Sequence, residues 1–143
     1  MSCVTFLAPD QRAALIAGSP QRPIDEVLAE HPVPPVTAGK IHRLRILAGD
    51  PNPKIRQSAA SSRHAPPDLL AGLAADEEVG VRCCVARNEQ AAEPTLRDLA
   101  HDPAAVVRGW VAANSSTPAG LLDLLATDDD ESVRAVVAWS RNW

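Results

Sequence analysis

A 26-residue period places Leu47, Leu73, Leu99 and Leu125 in one column, each opening the phrase Leu, Ala, any residue, Asp. The aspartates of that phrase, Asp50, Asp76, Asp102 and Asp128, are followed six residues later by Arg56, Arg82, Arg108 and Arg134. Each arginine is preceded by a β-branched residue, Ile55, Val81, Val107 or Val133. A period of this length constrains a chain to stacked supersecondary units, because each unit buries against its neighbours an apolar face it cannot bury alone. The expectation is an all-α solenoid of about five helix pairs.

At 143 residues the chain is long enough for one domain with a continuous core over 1–143. Its apolar content rests on Ala, Leu and Val, with one Phe, three Trp and no Tyr, which suits closely packed short helices. The net charge of -4 is unevenly spread: residues 76–143 hold twelve acidic and six basic side chains, residues 1–75 six and eight. An acidic balance argues against a general nucleic-acid binder, whose affinity comes from Lys and Arg neutralising phosphates. No apolar run reaches the roughly 18 residues of a membrane span, and the start MSCVTFLAPD lacks a signal-like charged and apolar sequence, so a cytoplasmic protein is expected. The three cysteines, Cys3, Cys83 and Cys84, are an odd set with two neighbours, a poor disulfide framework. Reduced thiols and no cofactor follow as expectations.

Within a unit, Asp50-Pro51 and Asp102-Pro103 read as helix starts, Asp as N-cap and Pro at N1. Ile55, Ala59 and Ser62, or Val107, Val111 and Asn114, then fall at the spacing of one buried helical face. Asn88 and Asn114 end these helices, where a left-handed residue is expected. Thr117-Pro118 repeats the cap logic ahead of Leu121, Leu122 and Leu125, a first helix of about two turns that is short enough to be partly 3₁₀. Sliding the N-terminus by 109 positions sets Pro9, Ile16, Ile24 and Leu28 on Pro118, Leu125, Val133 and Val137. Residues 9–43 thus read as a degenerate first unit with a proline-rich insertion, and 44–143 as regular ones.

An Asp and the Arg six residues on are rotated by about 240° on a helix, so they do not share a face. Each Arg is expected to reach the Asp, or open carbonyls, of the next unit, as a structural ladder of Asp50, Asp76, Asp102, Asp128, Arg56, Arg82, Arg108 and Arg134. A ligand-binding row of arginines is the alternative. The segments LRILAGDPNPKIRQSAASS and LRDLAHDPAAVVRGWVAANSSTPAGL resemble leucine-rich repeat variant units, over 44–143 closely and 9–43 loosely. The Asp-Pro…Val-Arg element is also similar to the second helix of HEAT-type repeats. The resemblance implies a right-handed superhelix in which α-helices alternate with 3₁₀-helices, and it carries no catalytic residue. An iron–sulfur cluster is described for one founding member on a Cys-rich N-terminal segment; here that segment offers only Cys3, and four thiolates are the usual requirement.

Positions opposite the buried face run from Lys54, Gln57 and Ser61 through Gly80, Cys83 and Arg87 to Val106, Gly109 and Ala113, and then Ser132, Ala135 and Trp139. They become apolar toward the C-terminus. Trp110, Ala135, Trp139, Trp143, Arg87 and Cys83 are therefore the candidate partner contacts, since Trp and Arg are enriched among interface hot spots. Trp139 and Trp143 serve equally as a cap closing the core. Cys83 and Cys84 point about 100° apart and lack metal-spaced partners, and His31, His42, His64 and His101 are scattered, so no metal site is expected. The acidic run Asp128 to Glu131 reads as a helix N-terminus.

Three functions follow in order of preference. The first is a non-enzymatic module or scaffold for protein partners. The second is nucleic-acid binding through the basic segment 40–54, where Lys40, His42, Arg43, Arg45 and Lys54 otherwise make a solvated helix face. The third is an accessory subunit of an enzyme, by resemblance of HEAT-like repeats to those of bilin lyases; no nucleophile and base pair is visible in the sequence.

Overall fold

The computed structural model describes residues 36–142, within one compact unit that begins at Val36. Among the described residues there are eight α-helices and no strand. They are α1 (Ala38–Ala48), α2 (Pro53–Ala60), α3 (Pro67–Leu73), α4 (Val79–Arg87), α5 (Glu93–Leu99), α6 (Ala105–Ala113), α7 (Ala119–Leu125) and α8 (Glu131–Ser140). The expectations for residues 9–35, for Cys3 and His31, and for Trp143 lie outside the described residues.

The longer helices pack one on the next: α2 on α4, α4 on α6 and α6 on α8. The short helices α3, α5 and α7 each touch the longer helix before and the longer helix after them, and α1 packs on α2 and α3. Seven-residue helices such as α5 are marginal alone, so their order comes from side chains they bury. Leu70 and Leu96 are fully enclosed, as are Val81, Val85, Val107 and Val111 on the longer helices. Each such side chain contributes about 1.5–3 kcal/mol by leaving water. Ala59, Ala60, Ala86 and Ala112 are buried with them. Leu47, although in the same sequence column as the buried Leu73, Leu99 and Leu125, is exposed, and Leu44 takes the inner position on α1.

Four local expectations are corrected. The short helices are α-helical throughout rather than 3₁₀. Asp50 and Asp102 do not cap helices: α2 and α6 start later, behind Asn52 and Ala104. The aspartate carboxylate is engaged one step earlier, accepting the N–H two residues on, Asn52 for Asp50 at 2.8 Å and Ala104 for Asp102 at 2.8 Å. Likewise Pro118, not Thr117, is the N-cap of α7, and the Thr117 hydroxyl donates instead to the Val111 carbonyl at 2.6 Å.

The asparagines were expected in the left-handed region, yet Asn88 has φ -77 and Asn114 φ -78, both extended in ψ. They are buried, and they bridge. The Asn88 amide donates to the carbonyls of Ala60 at 2.7 Å and Ser62 at 2.9 Å, at the end of α2. Asn114 repeats this on Ala86 at 2.7 Å and Asn88 at 3.1 Å. Meanwhile their Oδ1 atoms accept from the N–H groups of Gln90 and Ser116, which fixes the amide orientation. Each asparagine thus satisfies the open carbonyls of the preceding helix end, a task that a left-handed turn performs in isolated helices.

Asn114→Ala should therefore destabilise the fold by about 2–3 kcal/mol, because two buried carbonyls lose their donor. Asn114→Asp should do no better, since a carboxylate cannot donate to them. Urea unfolding followed by circular dichroism checks both; an Asp variant as stable as wild type would remove the bridging role.

Candidate functional site

The arginine column is the first arrangement to weigh as a binding site. Arg56 gives Nε to Asp76 Oδ2 at 2.7 Å and Nη2 to Asp76 Oδ1 at 2.9 Å. Arg82 makes the same fork on Asp102 at 2.6 and 3.2 Å, and Arg108 on Asp128 at 2.7 and 2.9 Å. The remaining edge of each guanidinium turns to backbone carbonyls. Arg82 Nη1 reaches Asp76 at 2.8 Å and Glu77 at 3.1 Å, and Arg108 Nη1 reaches Asp102 at 2.7 Å. These carbonyls belong to the turn before the arginine's own helix, not to the following unit, which corrects that half of the expectation. The helix starts three residues beyond the Asp, so the turn's carbonyls remain open for the arginine.

Three arginines with all edges engaged have no fork left for a ligand. Their side chains are 11–16% exposed and the carboxylates 4–8%, so each pair is nearly out of water. The Arg56 guanidinium holds the Asp76 carboxyl below the ordinary range, and Arg108 does the same for Asp128. Arg134 differs: its Nη1 lies on the carbonyls of Asp128 and Asp129, but no ion pair completes it among the described residues.

The outward positions of the longer helices form a second, less regular surface. Between α2 and α4 the Gln57 side chain lies over Gly80; a Cβ there would come within 2.4 Å of Gln57 Nε2. Between α4 and α6, Arg87 stacks its guanidinium 4.6 Å from the centre of the Trp110 ring, a cation–π contact. Between α6 and α8 neither filler is present. Gly109 stands at the position of Gln57, and Ala113 at that of Arg87. A Cβ on Gly109 would meet nothing within 4 Å.

The result is an open groove of about 420 Å³ lined by Ala105, Val106, Gly109, Trp110, Ala113, Asp130, Ser132, Val133 and Val136. Val106 is 53% exposed and Trp110 38%. Asp130 sits at the groove's edge and caps α8 by accepting from Ser132 N–H at 2.8 Å.

Of the sequence candidates, the structure brings Arg87 and Trp110 together and sets Trp110 in the groove. Ala135 and Trp139 are exposed on α8 and do not line it. Trp139 is 56% exposed, while Val133 and Val137 of the same helix fill the buried side. Cys83 and Cys84 are half-buried free thiols, and burial pushes the Cys83 thiol up, away from the reactive thiolate. Among the described residues no group of His, Cys, Asp or Glu is placed to hold a metal ion. In the basic segment Lys40, His42, Arg43 and Lys54 are exposed, and Arg45 pairs with Asp68 at 2.8 Å. No described helix is long and apolar enough to cross a membrane. Sequence reasoning placed Ser132 on the outward surface but missed the groove's rim at Asp130 and Val136, which becomes visible only when α8 is laid against α6.

Compared with models of known protein families, with curated proteins and with solved structures, the chain matches none.

Arg108→Ala should cost about 3 kcal/mol, since it strands the buried Asp128 carboxylate, whereas Trp139→Ala should leave the melting temperature nearly unchanged. Reversal of that order in thermal melts would return Trp139 to the core. The depressed Asp76 and Asp128 carboxyls set the sign with pH. The unfolded state binds their protons first, so their stabilisation is complete above the ordinary carboxylate pKa of about 3.9 and is lost as pH falls through the lower folded values. Melting temperature should decline steeply below about pH 4, and less steeply in Asp128→Asn, which is already weakened.

Proposed function

We propose that this chain is a non-enzymatic interaction module, a solenoid of stacked helix pairs that presents the α6–α8 groove to a protein partner. The carrying observation is the groove itself, an apolar cleft with Val106 and Trp110 partly exposed at its edges. A monomer gains nothing by leaving such a surface in water, and exposed apolar patches mark contact sites. Support comes also from how the groove arises. The forward fork of Arg108 on Asp128 is retained at this step, while the outward fillers are missing and Ser140, at the place of Asn88 and Asn114, bonds the Val137 carbonyl of its own helix. Recognition by Val106, Trp110 and Val136 would bury an aliphatic or aromatic side chain, with Asp130 and the exposed Asp129 and Glu131 favouring a basic neighbour to it. The half-buried reduced thiols are compatible with work in the cytoplasm.

A second reading rests on the exposed Lys40, Arg43 and Lys54, which make one basic face on and beside α1 suited to a phosphate backbone. It is the weaker, because Arg45 in the same segment is already paired.

Affinity capture from the native host's lysate, with and without nuclease, separates the two. Gly109→Leu fills open space and replaces a helical glycine, so it should keep or raise stability by up to about 1 kcal/mol while abolishing capture of a nuclease-resistant protein. Capture that survives Gly109→Leu but vanishes with nuclease or added salt would move the function to the basic face.

A further inference from the structure

We propose that the α6–α8 groove receives a helix of the partner protein, and that this helix carries a large apolar side chain and, one turn from it, an arginine or lysine. This deepens the interaction-module reading, on which it rests, by fixing the form and the charge pattern of the occupant. The pattern comes from the register of the filled steps. Gln57 over Gly80 is repeated two periods on by Gly109 over Ser132, and Arg87 over Trp110 is repeated one period on by Ala113 over Val136. Two side chains are thus wanting in the groove, one at Gly109 by Ser132 and the other at Ala113 by Val136, with the Trp110 ring as a wall. Gly109 and Ala113 are one helical turn apart, about 5–6 Å. Residues i and i+4 of a guest helix have the same separation and fill both places at once.

The walls decide between a helix and an extended segment. Both walls are α-helices, whose N–H and C=O groups are paired within their own turns, and the polar lining consists of Asp130 and Ser132. An extended segment would lay unpaired backbone groups against Val106, Trp110 and Val136, whereas a helix pairs its own. Nine residues of α6 run about 13 Å, room for two guest turns. Charge is set where α8 begins. Asp130 accepts the Ser132 N–H with one oxygen at 2.8 Å, and its other oxygen bonds nothing among the described residues. Asp129 and Glu131 beside it are exposed, and Arg134, lying on the Asp128 and Asp129 carbonyls, offsets only one of these three charges. A guest cation in the place of Gly109 lays its stem along the glycine and its charge at Asp130, while the apolar residue one turn away sits between Trp110 and Val136.

Selection on the full chain tests this. Stapled three-turn helices randomised on one face, and linear peptides of the same length interrupted by proline, are displayed against the immobilised protein with the Gly109→Leu protein as soluble competitor. Binders that Gly109→Leu cannot compete away should come from the stapled library and should pair a large apolar residue with Arg or Lys at i±4. The tightest of them should lose about tenfold in affinity when its cation becomes Gln or when the protein carries Asp130→Asn, the loss expected for one charge-assisted contact. Neither change should add to the other. Asn caps a helix as well as Asp does, so Asp130→Asn should melt with wild type. Binders drawn mainly from the proline-interrupted library, binders without a cation, an affinity indifferent to Asp130→Asn, or no binder that depends on Gly109 would overturn the proposal. The interaction-module reading fails on a different result, capture from lysate that ignores Gly109→Leu.

Discussion

A guanidinium with both edges engaged is the constraint from which the rest of this structure follows. Arg82 is tied backward to the carbonyls of Asp76 and Glu77 and forward to the carboxylate of Asp102. Asp102 in turn takes the Ala104 N–H and offers its own carbonyl to Arg108. Asp76, Asp102 and Asp128 are thus each both the end of one linkage and the start of the next. Because the fork is planar and rigid, the separation and rotation between successive helix pairs are set by bond geometry, not by apolar packing alone. Removing two charges from water is costly, and here complete hydrogen bonding on both partners offsets that cost.

The apolar side of the molecule depends on this frame and on the asparagines opposite it. Ala60 and Ala86 bring the longer helices close enough for Asn88 and Asn114 to reach the carbonyls of the preceding pair. Polar ties at both ends of α2, α4 and α6 leave their outward positions free of structural duty. That freedom is what allows Gln57, Arg87 and Gly109 to differ so widely while the helices carrying them keep the same contacts, and the groove beside Trp110 is a product of it.

How much of this could be read from residues alone depended on whether a feature was local or lay between units. Helical spacing marks Val81, Val85, Val107 and Val111 as inward, and each arginine indeed passes over the carboxylate six residues before it for the one twenty residues ahead, although it also takes that nearer aspartate's backbone carbonyl, a contact the spacing did not show. The true helix starts were not legible, because Asp102-Pro103 carries a capping signature that is overridden by the turn in which the aspartate receives its forward linkage. Asn88 and Asn114 looked like chain terminators for the same reason: their amides answer carbonyls 26 and 28 residues away, which no local pattern displays. The contact of Arg87 with Trp110 and the cavity beyond it were half legible. The residues stood among the outward positions, but which of them filled a gap and which left one required the helices to be laid side by side.

The linkage has a consequence for how a chain of this kind can change in length. Arg56, Arg82 and Arg108 each bind the turn before their own helix and the turn after the next short helix, so no bond reaches beyond the adjacent pair. Excising residues 77–102 would join Asp76 to Pro103, leaving Arg56 on the Asp76 carboxylate and bringing Arg108 to the Asp76 carbonyl. Duplication of the same stretch would likewise preserve each bond. Length and linkage are thus independent in such a chain: a change by 26 residues alters how many arginine–aspartate bonds there are, not how any one of them is made.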